Sequence, residues 1–418
     1  MVRSFFVWLH RWIGLLMAGF LILEGLTGSV LAFRSEIERF VTPQLFAVPR
    51  PGIAPLGLGM LAERAEALAP QARVGYYSIE DRQVVLHVRP RVNPATGEPY
   101  DIGFDRLYLD PWTGRELGRR RDGDLSQGTI NLIPFIYRLH MNLAGGTLGE
   151  FVLGIVALAW TIDCFVGFYL TLPVAFGRLL SRWRPAWLIK RPTSAIRLNY
   201  DLHRASGLWL WPLLFVLAWS SVMFNLRESV YEPVTRALFA YRSGMDSLGS
   251  TLAVRRANPK PKLDWVAAQG RGERLMTQEA ARRGFRIYRP YGMAYIDELG
   301  VYTYGIISNL DVQAHSWTTS LWLDGDTGNL VQLDLPSGET AGNTIENWLR
   351  ALHFADLNDN FLYRALVSIM GLVIAMLSAT GFYIWLRKRR ARRFAWGRQI
   401  NGTSLSAKAQ IAKININS

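Results

Sequence analysis

The chain of 418 residues has one cysteine, Cys164, so it can form neither an internal disulfide nor a cysteine-ligated zinc or iron–sulfur site. Its acids are missing from two places where basic residues crowd. Residues 176–199 hold Arg178, Arg182, Arg184, Lys190, Arg191 and Arg197 with no Asp or Glu, and Arg387, Lys388, Arg389, Arg390, Arg392, Arg393 and Arg398 follow the last apolar run, again without an acid. Nucleotide and hydrolase signatures are also lacking: there is no GxGxxG after a strand, no P-loop and no Cys–His–Asp arrangement.

Half of the residues are hydrophobic and 15 are Trp. Four runs, 5–33, 151–173, 208–226 and 361–386, reach the length of about 20 residues that a spanning helix needs. The first carries His10, Arg11 and Glu24 and lacks a small-residue cleavage site, so it reads as a retained span and not as a removed signal peptide. The long connections 34–129 and 227–342 each hold 13 basic and 13 acidic residues. The net charge of +14 therefore sits at helix ends and in short connections. By the positive-inside rule both termini and the middle loop are cytoplasmic, and the basic excess is a topology signal that leaves no nucleic-acid partner to explain.

Each long connection reads as a folded α/β domain. Helical spacing at 54–68 precedes strand-like runs at 74–79, 84–88 and 104–109; a helix at 263–283 precedes runs at 285–288, 293–296, 301–307 and 317–323. The tail after Trp396 is polar and non-periodic and reads as unstructured. The two halves repeat. Leu109-Asp110 with Thr113-Gly114 matches Leu323-Asp324 with Thr327-Gly328 at an offset of 214, as Gly167-Phe168-Tyr169 matches Gly381-Phe382-Tyr383. Leu139-His140 matches Leu352-His353 at 213, and Leu9-His10-Arg11 matches Leu202-His203-Arg204 at 193. The expected fold is an α+β membrane protein: a four-transmembrane-helix bundle from an internal duplication, with two outside domains. Its parts are a first span (1–33), a first domain (34–128), an interfacial helix and second span (129–175), a basic loop (176–199), a third span (200–226), a second domain (227–342), an interfacial helix and fourth span (343–390) and a tail (391–418).

Four of the six histidines obey the repeat. His10 and His203 precede spans at the cytoplasmic side; His140 and His353 precede the return spans on amphipathic stretches. Packed about a two-fold axis along the membrane normal, they make two facing pairs, His10 with His203 and His140 with His353. Two imidazoles opposed across a helical bundle are the axial ligands of a low-spin b-type haem, so two b-type haems are expected. Zinc fits less well, because two neutral histidines fill half of its tetrahedral shell.

The stretch Leu9-His10-Arg11-Trp12-Ile13-Gly14-Leu15, then Gly25-Leu26-Thr27-Gly28-Ser29, then Ala159-Trp160 through Asp163, Gly167 and Pro173, resembles the PepSY-associated transmembrane family over all but about the last twenty residues. The resemblance implies a bacterial inner-membrane protein with two periplasmic PepSY-like domains. It implies His10, His140, His203 and His353 as haem ligands, and reduction of a ferric siderophore in the periplasm.

The second repeat departs from the first at two acids: Leu217 stands where Glu24 does, and Asp163 has no acidic counterpart. Intramembrane carboxylates are costly and face the bundle interior. Glu24 and Asp163 are read either as proton partners of haem reduction or as hydrogen-bonding partners of Thr27, Thr161 or Trp indoles across helices. Arg11, Arg204, Arg138 and Arg350 flank the histidines and read as propionate partners or as snorkelling interfacial residues. His87 and His315 do not repeat and read as structural. Three functions remain: electron transfer to a periplasmic ferric chelate, non-enzymatic binding or regulation of a periplasmic partner, and transport. Discontinuous helices would favour transport, and only Pro212 interrupts a span.

Overall fold

The order of elements follows the apolar runs and the turn residues between them. The computed structural model describes residues 2–414 apart from 81, 176, 192–193, 243–256 and 317, with side chains to residue 390. Helices α1 (Val2–Leu31), α2 (Arg34–Val41) and α3 (Leu58–Leu68) lead into strands β1 (Ala72–Glu80), β2 (Gln83–Pro90), β3 (Arg106–Leu109) and β4 (Glu116–Arg120). Then come α4 (Leu132–Asn142), α5 (Gly146–Thr171), α6 (Leu179–Trp183), α7 (Ala195–Trp209), α8 (Trp211–Asn225), α9 (Glu232–Leu238) and α10 (Trp265–Arg283). Strands β5 (Ile287–Ile296), β6 (Val301–Ser308), β7 (Thr319–Asp324) and β8 (Leu330–Asp334) precede α11 (Ala341–His353) and α12 (Phe361–Ile414).

Among the described residues three helices are long and apolar enough to cross a bilayer: α1, α5 and α12 over Phe361–Arg390. The third expected span, 208–226, is broken. Helices α7 and α8 meet at Leu210 with a bend of 71°. Pro212, the second residue of α8, has no N–H to give to the preceding turn and its ring crowds the carbonyl four residues back, so the break falls where a straight helix cannot continue. The helix of the fourth span continues past the expected tail boundary to Ile414, so the stretch after Trp396 that reads as unstructured is helical that far; residues 361–414 contain no proline to interrupt it.

The chain divides into two compact units. One comprises residues 1–26, 156–218 and 370–418 and is helical. Its apolar core joins Met17 and Leu21 of α1, Cys164 of α5, Leu214 and Ala218 of α8, and Met370 and Ile374 of α12. Small residues set the closest approach: a Cβ on Gly25 would lie 2.4 Å from the carbonyl oxygen of Gly371, so α1 and α12 touch backbone to backbone there. Trp211 Nε1 donates to the Cys164 carbonyl at 2.8 Å. The Arg3 guanidinium closes the end of α5, donating to the carbonyls of Leu170 and Leu172 at 2.8 and 3.1 Å, where a cation meets the negative end of the helix.

The other unit comprises residues 27–155 and 219–369. Its described strands form one antiparallel eight-stranded sheet in the order β4-β3-β2-β1-β5-β6-β7-β8. The two expected outside domains thus share one sheet, joined where β1 pairs β5 through Tyr76–Ala294, Tyr77–Met293 and Ser78–Gly292. Helices α3 and α10 bury Leu61, Ala65, Ala268 and Met276 against Tyr77, Leu86, Met293 and Tyr304 of the sheet. Gly59 lets these helices cross in contact, since a Cβ there would stand 2.6 Å from the Trp265 carbonyl oxygen. The repeated Leu-Asp-x-x-Thr-Gly motif makes the β3–β4 and β7–β8 turns. Asp110 accepts from the backbone N–H of Trp112 and Thr113, Asp324 from those of Asp326 and Thr327, and Gly114 and Gly328 take the left-handed φ of 65° and 68° that closes each turn.

Two strands escape the sequence reading, β4 and β8. Both are sheet edges with little apolar alternation, as Glu-Leu-Gly-Arg-Arg shows for β4. The runs expected at 285–288 and 293–296 are one strand, β5, which passes Pro290 by register shifts at 287–289 and 290–292.

The β1–β5 seam depends on Gly292, where an added Cβ would sit 2.5 Å from the Tyr77 carbonyl oxygen. Gly292→Ala should lower the unfolding midpoint of the sheet unit by the equivalent of about 1–3 kcal/mol. Gly75→Ala, whose Cβ would meet its nearest neighbour at 3.4 Å, should cost much less. Equal melting of the two variants in detergent would show that the seam does not need its glycine.

Candidate functional site

Each histidine pair forms inside one unit. In the helical unit His10 of α1 faces His203 of α7, with ring centres 6.1 Å apart and planes at 62°. His10 Nδ1 donates to Oδ1 of Asp163 on α5 at 2.9 Å, and that carboxylate side chain is only 7% exposed. His203 Nδ1 lies 3.1 Å from the Leu377 carbonyl oxygen and 3.1 Å from the Thr380 hydroxyl, both on α12. A glycine follows each of the two acceptor positions by four residues, one helical turn on. A Cβ on Gly167 would lie 3.6 Å from His10 Cε1, and one on Gly381 3.2 Å from His203 Cε1.

In the sheet-bearing unit His140, near the end of α4, faces His353, the last residue of α11. Their ring centres are 6.2 Å apart and their planes meet at 53°. His140 Nδ1 lies 2.9 Å from the Thr27 hydroxyl and His353 Nδ1 2.8 Å from that of Ser220. Gly28 brings the helix backbone against His140, since a Cβ there would stand 3.1 Å from the ring. Phe224 packs edge-on to His353 with centres 5.1 Å apart. Burial, with His140 beside it, pushes His353 down to about 3, so it stays neutral, the form in which an imidazole binds a metal. Local sequence sets these positions. Thr340 caps α11 by accepting from Asn343 N, while Leu143 and Ala144 take left-handed conformations to turn the chain from α4 into α5.

All four histidines thus commit Nδ1 to an anchor, which fixes the ring and makes Nε2 the nitrogen that would ligate. Two imidazoles bound through a nitrogen at about 2.0–2.1 Å on opposite sides of one metal ion have ring centres about 6.3 Å apart. The separations of 6.1 and 6.2 Å fit an iron between each pair. Among the described residues no group of three or more His, Cys, Asp or Glu side chains converges as a tetrahedral zinc site would require.

The flanking residues divide. Asp163 meets a histidine itself, not Thr161, whose hydroxyl donates to the Ala157 carbonyl. Glu24 is half-buried on α1. Arg204 is engaged by Asp201 at 3.1 Å and by the Pro185 carbonyl at 2.6 Å. Arg350 lies over the Phe224 ring and 3.5 Å from Glu346, Arg138 donates to the Asp122 carbonyl at 3.4 Å, and Arg11 is half-buried on α1. The anchors Thr27, Ser220 and Thr380 carry no signal of their own in the sequence. Thr27 and Ser220 stand at the offset of 193 that also relates His10 to His203, so the repeat could have found them.

A family model described as the PepSY-associated TM region matches residues 7–388. No curated protein matches the chain.

The two remaining histidines behave oppositely. Burial, with Arg106 and Arg120 nearby, drives His87 down to about 2, and it stacks on Tyr76 as a neutral ring. His315 is raised above 6.5 by its hydrogen bond to Asp356; burial alone would raise Asp356, but the bonds from His315 hold it below 3.8. The raised histidine contributes stability that is full below pH 6.5 and lost as pH rises through its folded pKa; the depressed carboxylate contributes above pH 3.8 and fades as pH falls. The melting-point difference between the native chain and His315→Gln should therefore be present at pH 5.5 and shrink by pH 8.5. A difference constant across that range would show that the pair carries no titrating contribution.

Proposed function

Because the chain belongs to the PepSY-associated transmembrane family, we propose that it is a di-haem electron-transfer protein of a bacterial inner membrane, with both termini cytoplasmic, that reduces a ferric siderophore in the periplasm. The observation that carries the reading is the pairing: two opposed imidazole pairs at iron-spanning separation, each ring held by its other nitrogen.

His10 and His203 would hold one haem, His140 and His353 the other. When bound, a haem held by two histidines would supply a one-electron couple. The anchors orient the rings before any ligand arrives: a carboxylate for His10, a carbonyl and a hydroxyl for His203, hydroxyls for His140 and His353. Gly28, Gly167 and Gly381 keep side chains away from three of the rings. Arg204 and Arg350 already have carboxylate partners, so a propionate would have to compete with Asp201 and Glu346 for them. Ferric iron in a siderophore is the proposed substrate, since one-electron reduction turns a hard, tightly chelated ion into one that the ligand releases. The donor is a cytoplasmic reductase or quinol.

Transport gains one feature, the bend at Leu210. Transporters built on broken helices pair them between repeats, and here α1, α5 and α12 run unbroken.

A pyridine haemochrome assay on the purified chain should give two b-type haems per polypeptide, and one or none would sink the assignment. His10→Ala should bleach one haem and leave the spectrum of the other. After reduction by dithionite without oxygen, added ferric siderophore should reoxidise the haems faster than buffer does. A colourless preparation would favour a protein that binds or regulates a periplasmic partner.

A further inference from the structure

Within the helical unit, hydrogen bonds fix the depth of the segment that follows α5. Trp183 Nε1 donates at 3.1 Å to the hydroxyl of Thr171, the last residue of the α5 span, and the Trp183 ring packs on Phe168 with centres 5.8 Å apart. Trp187 stands edge-on to Trp183 at 5.1 Å, and its carbonyl accepts from Trp209 Nε1, at the end of α7, at 3.0 Å. Residues 183–187 are therefore pinned level with the end of a spanning helix, the depth at which indoles gather and lipid headgroups lie.

Charge and exposure say what meets the molecule at this level. Arg182 and Arg184 flank Trp183 and both are exposed, as are Arg178, Lys190 and Arg191. Residues 176–199 contain no acid. Asp201, the next acid along the chain, is fully buried and engaged by Arg197 at 3.0 Å, Arg204 at 3.1 Å and the Lys190 backbone N–H at 3.4 Å. Among the cations stand Leu180, 77% exposed, and Leu188, 47% exposed. Helix α12 brings Arg387, Lys388, Arg389 and Arg390, all exposed, to the end of its own span. An acidic protein docking from water would match the cations but not bare leucines at headgroup depth. An anionic bilayer surface matches both, phosphates meeting the cations and acyl chains the leucines.

We propose that residues 177–191 are a binding surface for anionic phospholipid in the leaflet at this end of the helices, which is cytoplasmic in the orientation given above. Arg182 and Arg184 take the lipid phosphodiesters, and Leu180 and Leu188 enter the acyl region. Lipid bound there braces the segment against which α7, the helix of His203, is packed through Arg204 and Trp209. Haem has no part in this binding.

The test uses the full-length purified protein in neutral detergent, titrated with phosphatidylglycerol or with phosphatidylcholine of the same acyl chains, and counts lipids retained per chain by native mass spectrometry. Phosphatidylglycerol should be retained in preference to phosphatidylcholine. A cation near an anionic surface is worth about fivefold in affinity, so Arg182→Gln and Arg184→Gln should each weaken phosphatidylglycerol binding by about that factor. Arg182→Lys and Arg184→Lys, which keep the charge, should bind as the native chain does, and so should Arg115→Gln, an exposed change in the sheet-bearing unit. Equal retention of the two lipids, release of phosphatidylglycerol by inorganic phosphate at the same concentration, or undiminished binding in both Gln variants would overturn the proposal. Heat stabilisation of the native chain by poly-glutamate and not by phosphatidylglycerol would overturn it too, and would give the surface to an acidic protein. The lipid preference of the native chain is read without any variant, whether or not the chain carries haem.

Discussion

An imidazole has two nitrogens, and inside a helical core neither is satisfied by water. What each histidine does with Nδ1 governs the rest of this molecule. It settles which tautomer the ring holds, which way Nε2 points, and which helix must run beside it. The ring of His10 needs α5 at Asp163, that of His203 needs α12 at Leu377, and His140 and His353 need α1 and α8 at Thr27 and Ser220. The glycines beside these anchors follow from the same demand, because a ring held this close to a neighbouring helix leaves no room for a side chain.

Much of this was legible in the sequence, for reasons that can be named. Leu-Asp-x-x-Thr-Gly recurred because a turn needs a carboxylate to cap amides and a glycine at positive φ. The histidines stood out because they kept the offsets of the repeat. The single break in a span was visible as Pro212, although not the size of its effect. A proline's clash is local, whereas the angle it produces is set by the packing of both halves of the bent helix.

What could not be read depended on contacts distant along the chain. Asp163 reads equally as a proton partner or as a hydrogen-bonding partner of Thr161 or a Trp indole, because an acid in an apolar run has no local partner; its partner is His10, 153 residues away. The arginines beside the histidines looked like candidates for a ligand because sequence does not show that Asp201 and Glu346 already hold Arg204 and Arg350. Strands β4 and β8 were invisible because an edge strand half open to solvent has no need of apolar alternation. The joining of two domains into one sheet was hidden for the same kind of reason. The β1–β5 pairing is made by backbone groups, and the one side-chain mark it leaves is a glycine.

That shared sheet changes what a fragment of this chain would be. Each meander of four strands ends, at the seam, in a strand whose outer backbone groups are paired only by the other half. A polypeptide carrying residues of one half alone would bare that edge, and bare edges recruit other strands. The same antiparallel pairing would join two identical copies about a two-fold axis, with concentration in place of covalent continuity. Carrying both halves on one polypeptide frees them to differ, and an acid at position 163 opposite a leucine at 377 is a difference that a symmetric dimer could not hold.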